Sequence, residues 1–254
     1  LRYEVAQDVA AALERERGGE VRMGRVQAMF PSITEMGMPA LLPHQAMTLN
    51  METGAVLLDG MPTGSTVERQ AVLQKAAGLD VQMLLPLHGH VWRRDLGYIL
   101  GKYDLWSRWE PEVRGVMIAY ASVYGNTENA ANVLACRLAE KGVKVKMFDA
   151  SVTPASYIVS AAFQYSHLVF AATTYNMGIF VTMEQLLLDI AAHQLASRRY
   201  ALIENGSWSP VSGKKMDALL SPLKGWSAIE APLTVKSALR PDQEAQLERL
   251  ANAV

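Results

Sequence analysis

Gly115-Val116-Met117-Ile118-Ala119-Tyr120-Ala121-Ser122-Val123-Tyr124-Gly125-Asn126-Thr127-Glu128 is the stretch whose reading decides the fold. An apolar run of strand length stops at Ser122. A short loop bearing hydroxyls and a glycine follows, and a helical pattern opens at once. A buried strand that delivers a tight loop to a helix N-terminus is the geometry of an anion cradle. The first N–H groups of a helix lack intrahelical partners, and the helix dipole adds positive potential there. The loop is not a Walker P-loop, because Gly-Lys-Ser/Thr is missing, and not a dinucleotide fingerprint, because Gly-x-Gly-x-x-Gly is missing. From Gly115 to Cys136 there is no Lys or Arg. A phosphate here would be held by backbone N–H groups, the hydroxyls of Ser122 and Thr127, the Asn126 amide and the dipole, which suits a small phosphomonoester. The same residues also read as an ordinary strand–helix turn capped by Thr127.

Downstream the pattern is regular. Strands are expected at 115–121, 143–149, 167–173, 200–205 and 228–236, and helices at about 127–141, 155–163, 182–195, 211–222 and 241–253. This alternation predicts an α/β fold, a doubly wound parallel sheet with helices on both faces. The strands are apolar runs without clean alternation, as both-face burial requires. Ligands in such sheets bind beyond the C-terminal strand ends, near the switch point. Two further loops therefore matter. Thr173-Thr174-Tyr175-Asn176-Met177-Gly178 offers hydrogen bonds, an aromatic face and a glycine for close approach. Its other reading is a surface turn. Glu204-Asn205-Gly206-Ser207-Trp208 places a Trp beside small polar residues, where its ring needs a surface to cover; packing on a neighbouring domain or subunit would also supply one. Taken together, hydroxyls at one strand end and Tyr and Trp at adjacent ends fit a phosphate-tailed, flat aromatic cofactor. FMN is the simplest candidate.

Composition narrows the rest. A chain of 254 residues, half of them apolar and with net charge −1, is a soluble globular composition of one large or two ordinary domains. No basic block points to nucleic acid, and no apolar run approaches the ~20 residues of a membrane span. The single Cys136 excludes an internal disulfide framework, and a cytoplasmic setting is expected. Cys136 itself reads as a small core residue of an amphipathic helix.

Upstream, residues 1–17 put Val5, Val9, Ala10 and Leu13 on one helical face. Short strands are expected between 20 and 64, at Ala40 to Leu42 and Ala55 to Leu58. Ser65 with Glu68 has capping-box spacing for a helix to about Ala77. Val81 to Leu87 reads as a buried strand running into His88-Gly89-His90. A helix carrying Leu96, Ile99, Leu100 and Tyr103 follows, then a linker with Trp106, Trp109, Glu110, Pro111 and Glu112.

Residues 114–254 resemble the flavodoxin-like domain of flavodiiron proteins (A-type flavoproteins). The resemblance rests on Ile118 to Ser122 with Tyr124-Gly125-Asn126-Thr127-Glu128, on Thr173 to Asn176 with Gly178-Ile179-Phe180, and on Ile203-Glu204-Asn205-Gly206-Ser207-Trp208. It implies a five-stranded sheet in the order 2-1-3-4-5 and FMN as cofactor. Ser122, Val123, Tyr124, Gly125, Asn126 and Thr127 would lie on the phosphate. Thr174, Tyr175, Asn176 and Gly178, with Asn205, Gly206, Ser207 and Trp208, would surround the isoalloxazine ring. Leu85 to Arg93 and Lys102 to Ser107 resemble the end of the family's metallo-β-lactamase-like domain, which makes 1–110 a partial or degenerate copy of it. His88 would match the last His ligand of the diiron centre, where the family reduces O2 to water or NO to N2O. A rubredoxin-like or flavin reductase donor and a head-to-tail homodimer are implied as well.

The chain departs from that family at the irons. Of its five His (His44, His88, His90, His167, His193), none forms the His-x-Glu-x-Asp-His motif. One carried-over His cannot build a two-iron site, which needs several N and O ligands. Two accounts fit: the C-terminal part of a longer enzyme, as the initial Leu1 suggests, or a shortened relative that keeps FMN. The expected function is an FMN-binding electron-transfer module of flavodiiron type. The alternative is a stand-alone flavodoxin-like electron carrier or docking module without oxidase activity, and a quinone-type flavin reductase is a third.

Overall fold

The computed structural model describes residues 91–254 continuously, together with 24–25, 47–49, 56–58, 70, 73–74 and 77–86. The expected helix at 1–17, the piece Ala40 to Leu42, the Ser65 cap, and His44, His88 and His90 lie outside the described residues. The chain divides into two compact units, Leu1–Arg108 and Trp109–Val254.

In the first unit, β1 (Gly24–Arg25), β2 (Met47–Leu49) and β3 (Val56–Leu58) pair antiparallel in that order. Within 81–86 the expected strand is reduced to one bridge. Leu84 and Trp92 exchange both backbone hydrogen bonds at 2.9 Å. Helix α1 (Leu96–Ser107) runs through Trp106, which the linker reading had placed outside it. Gln70 ties back to this helix, donating to Asp104 Oδ1 at 3.1 Å and Ser107 Oγ at 2.6 Å.

The second unit carries the sheet. Its elements are β4 (Val113–Ala121), α2 (Asn126–Glu140), β5 (Lys144–Asp149), α3 (Ala155–Gln164), β6 (Tyr165–Tyr175), β7 (Gly178–Ile179), α4 (Val181–Ala192), β8 (Arg199–Asn205), α5 (Ser212–Leu220), β9 (Ser227–Ala228), β10 (Leu233–Val235) and α6 (Pro241–Ala253). Five strands lie in the order β10-β8-β6-β4-β5, all parallel. Counted as five strands in chain order this is 2-1-3-4-5, as expected. The order reverses between β4 and β6, which makes the gap beyond their C-terminal ends the switch point.

Alternate residues of the central strands feed two cores. Met117, Ala119, Leu168, Phe170, Tyr200 and Leu202 pack with α3, α4 and α5. Val116, Ile118, Val169, Ala171, Ala201 and Ile203 pack with α2 and α6. Burial on both faces explains why these strands read as continuous apolar runs.

Two expectations need correction. The strand expected at 228–236 is two short pieces. Ser227 and Ala228 pair with Arg199 and Tyr200, and Leu233–Val235 pairs with Ile203–Asn205. Pro232 lies at the break, and a residue without an N–H cannot donate to a ladder. Cys136 is exposed rather than a core residue. The inward phase of α2 is set by Ala130, Ala131, Leu134 and Leu138, and position 136 falls off that stripe.

Candidate functional site

The three loops emerge together at the C-terminal ends of β4, β6 and β8, because parallel strands share one direction. After β4, Gly125 sits at φ 82 as the N-cap of α2. That left-handed conformation suits glycine, the residue without a Cβ. The Gly125 N–H donates to Ser122 Oγ at 3.0 Å, which closes the loop. The first intrahelical bond runs from the Asn129 N–H to the Gly125 carbonyl at 2.8 Å. No side chain caps the helix start. Asn126, Thr127 and Glu128 therefore present the free donors that open a helix.

Thr127 does not act as the cap. It lies inside the first turn, 1% exposed, and its hydroxyl meets that of Thr173 at 2.9 Å. This bond spans the switch point and ties the phosphate-type loop to the end of β6. Val123 and Tyr124 project outward, Tyr124 being 90% exposed. Behind the loop the Tyr120 hydroxyl donates to Glu128 Oε1 at 3.3 Å. Burial pushes the Tyr120 phenol above its ordinary range, and Glu128 and Asp149 push it in the same direction.

The loop after β6 is a two-residue hairpin. Thr174 and Tyr175 pair antiparallel with Ile179 and Gly178 of β7. Asn176 (φ 48) and Met177 (φ 56) are both left-handed, the requirement of a type I′ turn. The Tyr175 ring packs edge-on against Phe180 at 5.8 Å. The Thr174 hydroxyl is engaged with α5: it accepts from the Val211 and Ser212 N–H groups at 3.0 and 3.1 Å and donates to Ser212 Oγ at 3.3 Å.

After β8, Asn205 is 5% exposed and grips Ser237 by both backbone groups. Its Nδ2 donates to the Ser237 carbonyl at 2.9 Å and its Oδ1 accepts the Ser237 N–H at 3.1 Å. Gly206 lets the loop fold on itself, since a Cβ there would meet Pro210 Cα at 2.9 Å. Ser207 Oγ lies 3.3 Å from Ser237 Oγ. Trp208 stands 90% exposed, an open aromatic face at the ligand end of the sheet. Sequence reasoning missed Ser212 and Ser237 as partners, and it named Thr173 and Glu204 only as members of their loops. The one signal available for Glu204 was a carboxylate closing an apolar strand, where a charge needs dedicated partners.

His167, expected at a strand start, lies within β6 and is buried; its Nδ1 contacts Ser166 Oγ at 2.8 Å and its Nε2 has no hydrogen-bond partner. It sits at the N-terminal edge of the sheet, away from the three loops. His193 is the C-cap of α4, with Nδ1 2.8 Å from the Asp189 carbonyl and 3.4 Å from Asp189 Oδ1. Among the described residues no group of three or more His, Cys, Asp or Glu could hold a metal ion, and no helix is long and apolar enough to cross a membrane.

A doubly wound sheet in the 2-1-3-4-5 order, with an uncapped helix start and aromatic loops at its switch point, defines a flavodoxin-like domain. Residues 118–249 match the flavodoxin family model, and the chain belongs to that family. Residues 1–94 match the model described as the BREX system PglZ alkaline phosphatase-like domain. An anaerobic nitric oxide reductase flavorubredoxin of Shigella flexneri is 27% identical over 169 residues, 66% of this chain and 34% of the relative. A nitric oxide reductase of Moorella thermoacetica is 26% identical over 130 residues, 51% of this chain and 32% of the relative. The chain thus aligns with about a third of the length of these relatives. Among solved structures, the rubredoxin:oxygen oxidoreductase of Desulfovibrio gigas superposes with TM-score 0.73 at 18% identity, covering 82% of this chain and 60% of that one. A flavoprotein of Thermotoga maritima gives 0.69 at 19% identity, covering 96% and 70%. The flavodoxin match gives the domain FMN as its cofactor and electron transfer as its role.

Proposed function

We propose that this chain is the flavin half of a flavodiiron-type electron-transfer protein and that the three loops divide the FMN between them. The backbone N–H groups and hydroxyls of Ser122, Val123, Tyr124, Gly125, Asn126 and Thr127 take the phosphate. Thr174, Tyr175, Asn176 and Gly178, with Asn205, Gly206, Ser207 and Trp208, flank the ring. The observation that carries this reading is the switch-point junction. There α2 starts without a side-chain cap, and the Thr127 and Thr173 hydroxyls meet at 2.9 Å.

The donor set fits the group. A phosphomonoester needs several N–H and O–H donors, and an uncapped helix start with two hydroxyls supplies them without a salt bridge. The bound flavin supplies the chemistry of accepting and releasing electrons. The chain holds its phosphate, and the Thr127–Thr173 bond fixes the distance between the phosphate loop and the ring side. Tyr175 and Trp208 offer faces that exclude water from a flat ring. Thr174, already bonded to the start of α5, contributes rigidity and backbone rather than a free hydroxyl.

For residues 1–110 the proposal is a partial metallo-β-lactamase-like segment. Its support is that the alignments with the two solved structures cover 82% and 96% of this chain, more than residues 109–254 make up. The described residues do not fit a diiron centre, and His88 lies outside them, so no step is routed through irons. Electrons enter from a rubredoxin-like or flavin reductase donor, and a head-to-tail homodimer brings each flavin to the partner's first unit. The relatives favour this reading over a stand-alone carrier.

The test is reconstitution. Purified protein incubated with FMN and desalted is expected to be yellow, with one FMN per chain by absorbance. A protein that emerges colourless would overturn the reading. Donor-driven consumption of O2 or NO by this chain alone is expected to stay near background.

A further inference from the structure

We infer that the Tyr120 hydroxyl holds the Glu128 carboxylate off the start of α2, and that this contact keeps the helix N-terminus open to the phosphate of FMN. The inference rests on the flavin reading above. It deepens that reading by naming a side chain that lets the site distinguish FMN from unphosphorylated flavin.

The phosphate loop carries its own competitor. Glu128 is the acidic residue in the first turn of α2, three positions after the N-cap Gly125. A glutamate there ordinarily folds back to accept the N–H of the N-cap residue, as in a capping box. The helix dipole draws its charge the same way. A carboxylate seated at the helix start would occupy the place an external phosphate must take. Two contacts keep it elsewhere. The Gly125 N–H is already donated to Ser122 Oγ at 3.0 Å. Glu128 Oε1 accepts the Tyr120 hydroxyl at 3.3 Å, which ties the carboxylate down to the end of β4.

Tyr120 is placed for this by the pleat of β4. It follows Val116 and Ile118 on the strand face that packs with α2, and its ring is partly buried against their core. Burial first, then Glu128 and Asp149, push the phenol above its ordinary range, so it stays a donor at neutral pH. Asp149 is itself engaged by the Ser151 N–H at 2.7 Å. Glu128 forms no ion pair among the described residues. Glu128 is therefore the carboxylate that loss of the Tyr120 hydroxyl would release. Tyr120 is a positioning residue, since it acts on the phosphate through Glu128.

Tyr120→Phe removes the hydroxyl and keeps the ring. The released carboxylate competes with the phosphate and not with the isoalloxazine. Dissociation constants for FMN and riboflavin are measured by flavin fluorescence quenching on the full chain, for wild type, Tyr120→Phe, Glu128→Ala and the double variant. The preference for FMN over riboflavin is expected to fall about tenfold in Tyr120→Phe, the equivalent of one charge-assisted hydrogen bond. Riboflavin affinity is expected to stay within about twofold. Glu128→Ala should hold the preference at or above that of wild type. The double variant should return to within about threefold of Glu128→Ala, because the competitor is gone.

An unchanged preference in Tyr120→Phe would overturn the inference. So would a parallel loss of FMN and riboflavin affinity, which would make the hydroxyl merely structural. A double variant as weak as Tyr120→Phe would overturn it as well, as would a preference below wild type in Glu128→Ala, a result that does not depend on Tyr120→Phe folding. Wild-type protein that binds neither flavin, or both equally, is a different result: the flavin reading itself fails, and the inference falls with it.

Discussion

Replacing Arg198 with Met should destabilise the second unit more than any surface change. Arg198 is 1% exposed and touches no carboxylate among the described ion pairs. Its guanidinium is surrounded by carbonyls. Nε donates to Ala162 at 3.1 Å and Nη2 to Phe163 at 2.7 Å, both in the last turn of α3, where a cation is favoured. Nη1 donates to Trp109 at 2.6 Å, Ser197 at 3.0 Å and Ala196 at 3.1 Å, three acceptors for two protons.

The four donated protons, at roughly 1.5 kcal/mol each for a charged donor, contribute about 6 kcal/mol. Burial lowers the guanidinium pKa from 12.5 to about 10, and at ~1.36 kcal/mol per unit this desolvation offsets about 3 kcal/mol. The net loss in Arg198→Met is therefore about 3 kcal/mol. Urea unfolding at pH 7, followed by tryptophan fluorescence, measures it. Arg198→Lys should recover less than half, because one ammonium cannot span acceptors from α3 to Trp109. A loss below about 1 kcal/mol in Arg198→Met, or full recovery by Lys, would refute this account of the cage.

Three further outcomes are expected. Gly125→Ala meets no atom within 4 Å but must hold φ 82, so it should lose about 1 kcal/mol in thermal unfolding and bind FMN more weakly. Met177→Gly relieves a side chain held at φ 56 in the hairpin and should gain about 0.5–1 kcal/mol in the same assay. The folded pKa of His167 lies below 6.5 because of burial, then Arg199 and Arg114. The unfolded chain thus binds the proton more readily. Stability should be complete above pH 6.5 and decline as pH falls toward the folded value, and His167→Asn should flatten that slope. An equal slope in both proteins would contradict it.

What could be read from sequence depended on where the information lies. The four long parallel strands were legible because both-face burial writes itself as apolar runs, while the order 2-1-3-4-5 came from the family resemblance and not from the alternation. The strand–loop–helix junction after β4 was legible because Gly125 and the hydroxyls occupy six consecutive residues. The hairpin at Asn176-Met177 was not, because a type I′ turn normally advertises itself with Asn-Gly. The break at Pro232 was visible but outweighed by the apolar residues around it. Asn205–Ser237 and Thr174–Ser212 join residues more than thirty apart, and backbone carbonyl cages such as that of Arg198 leave no mark in side-chain identities. Cys136 needed the phase of α2, which a tolerant helical pattern leaves open by one position.

The central claim is that Ser122 to Thr127 holds a flavin phosphate, and a paired titration with FMN and riboflavin tests it most directly. The two ligands share the ring and differ in the phosphate. Flavin fluorescence quenching should show one FMN per chain, with riboflavin binding at least about a hundredfold more weakly, the equivalent of about one to two charge-assisted hydrogen bonds. Equal affinity for the two, or binding of neither, would contradict it.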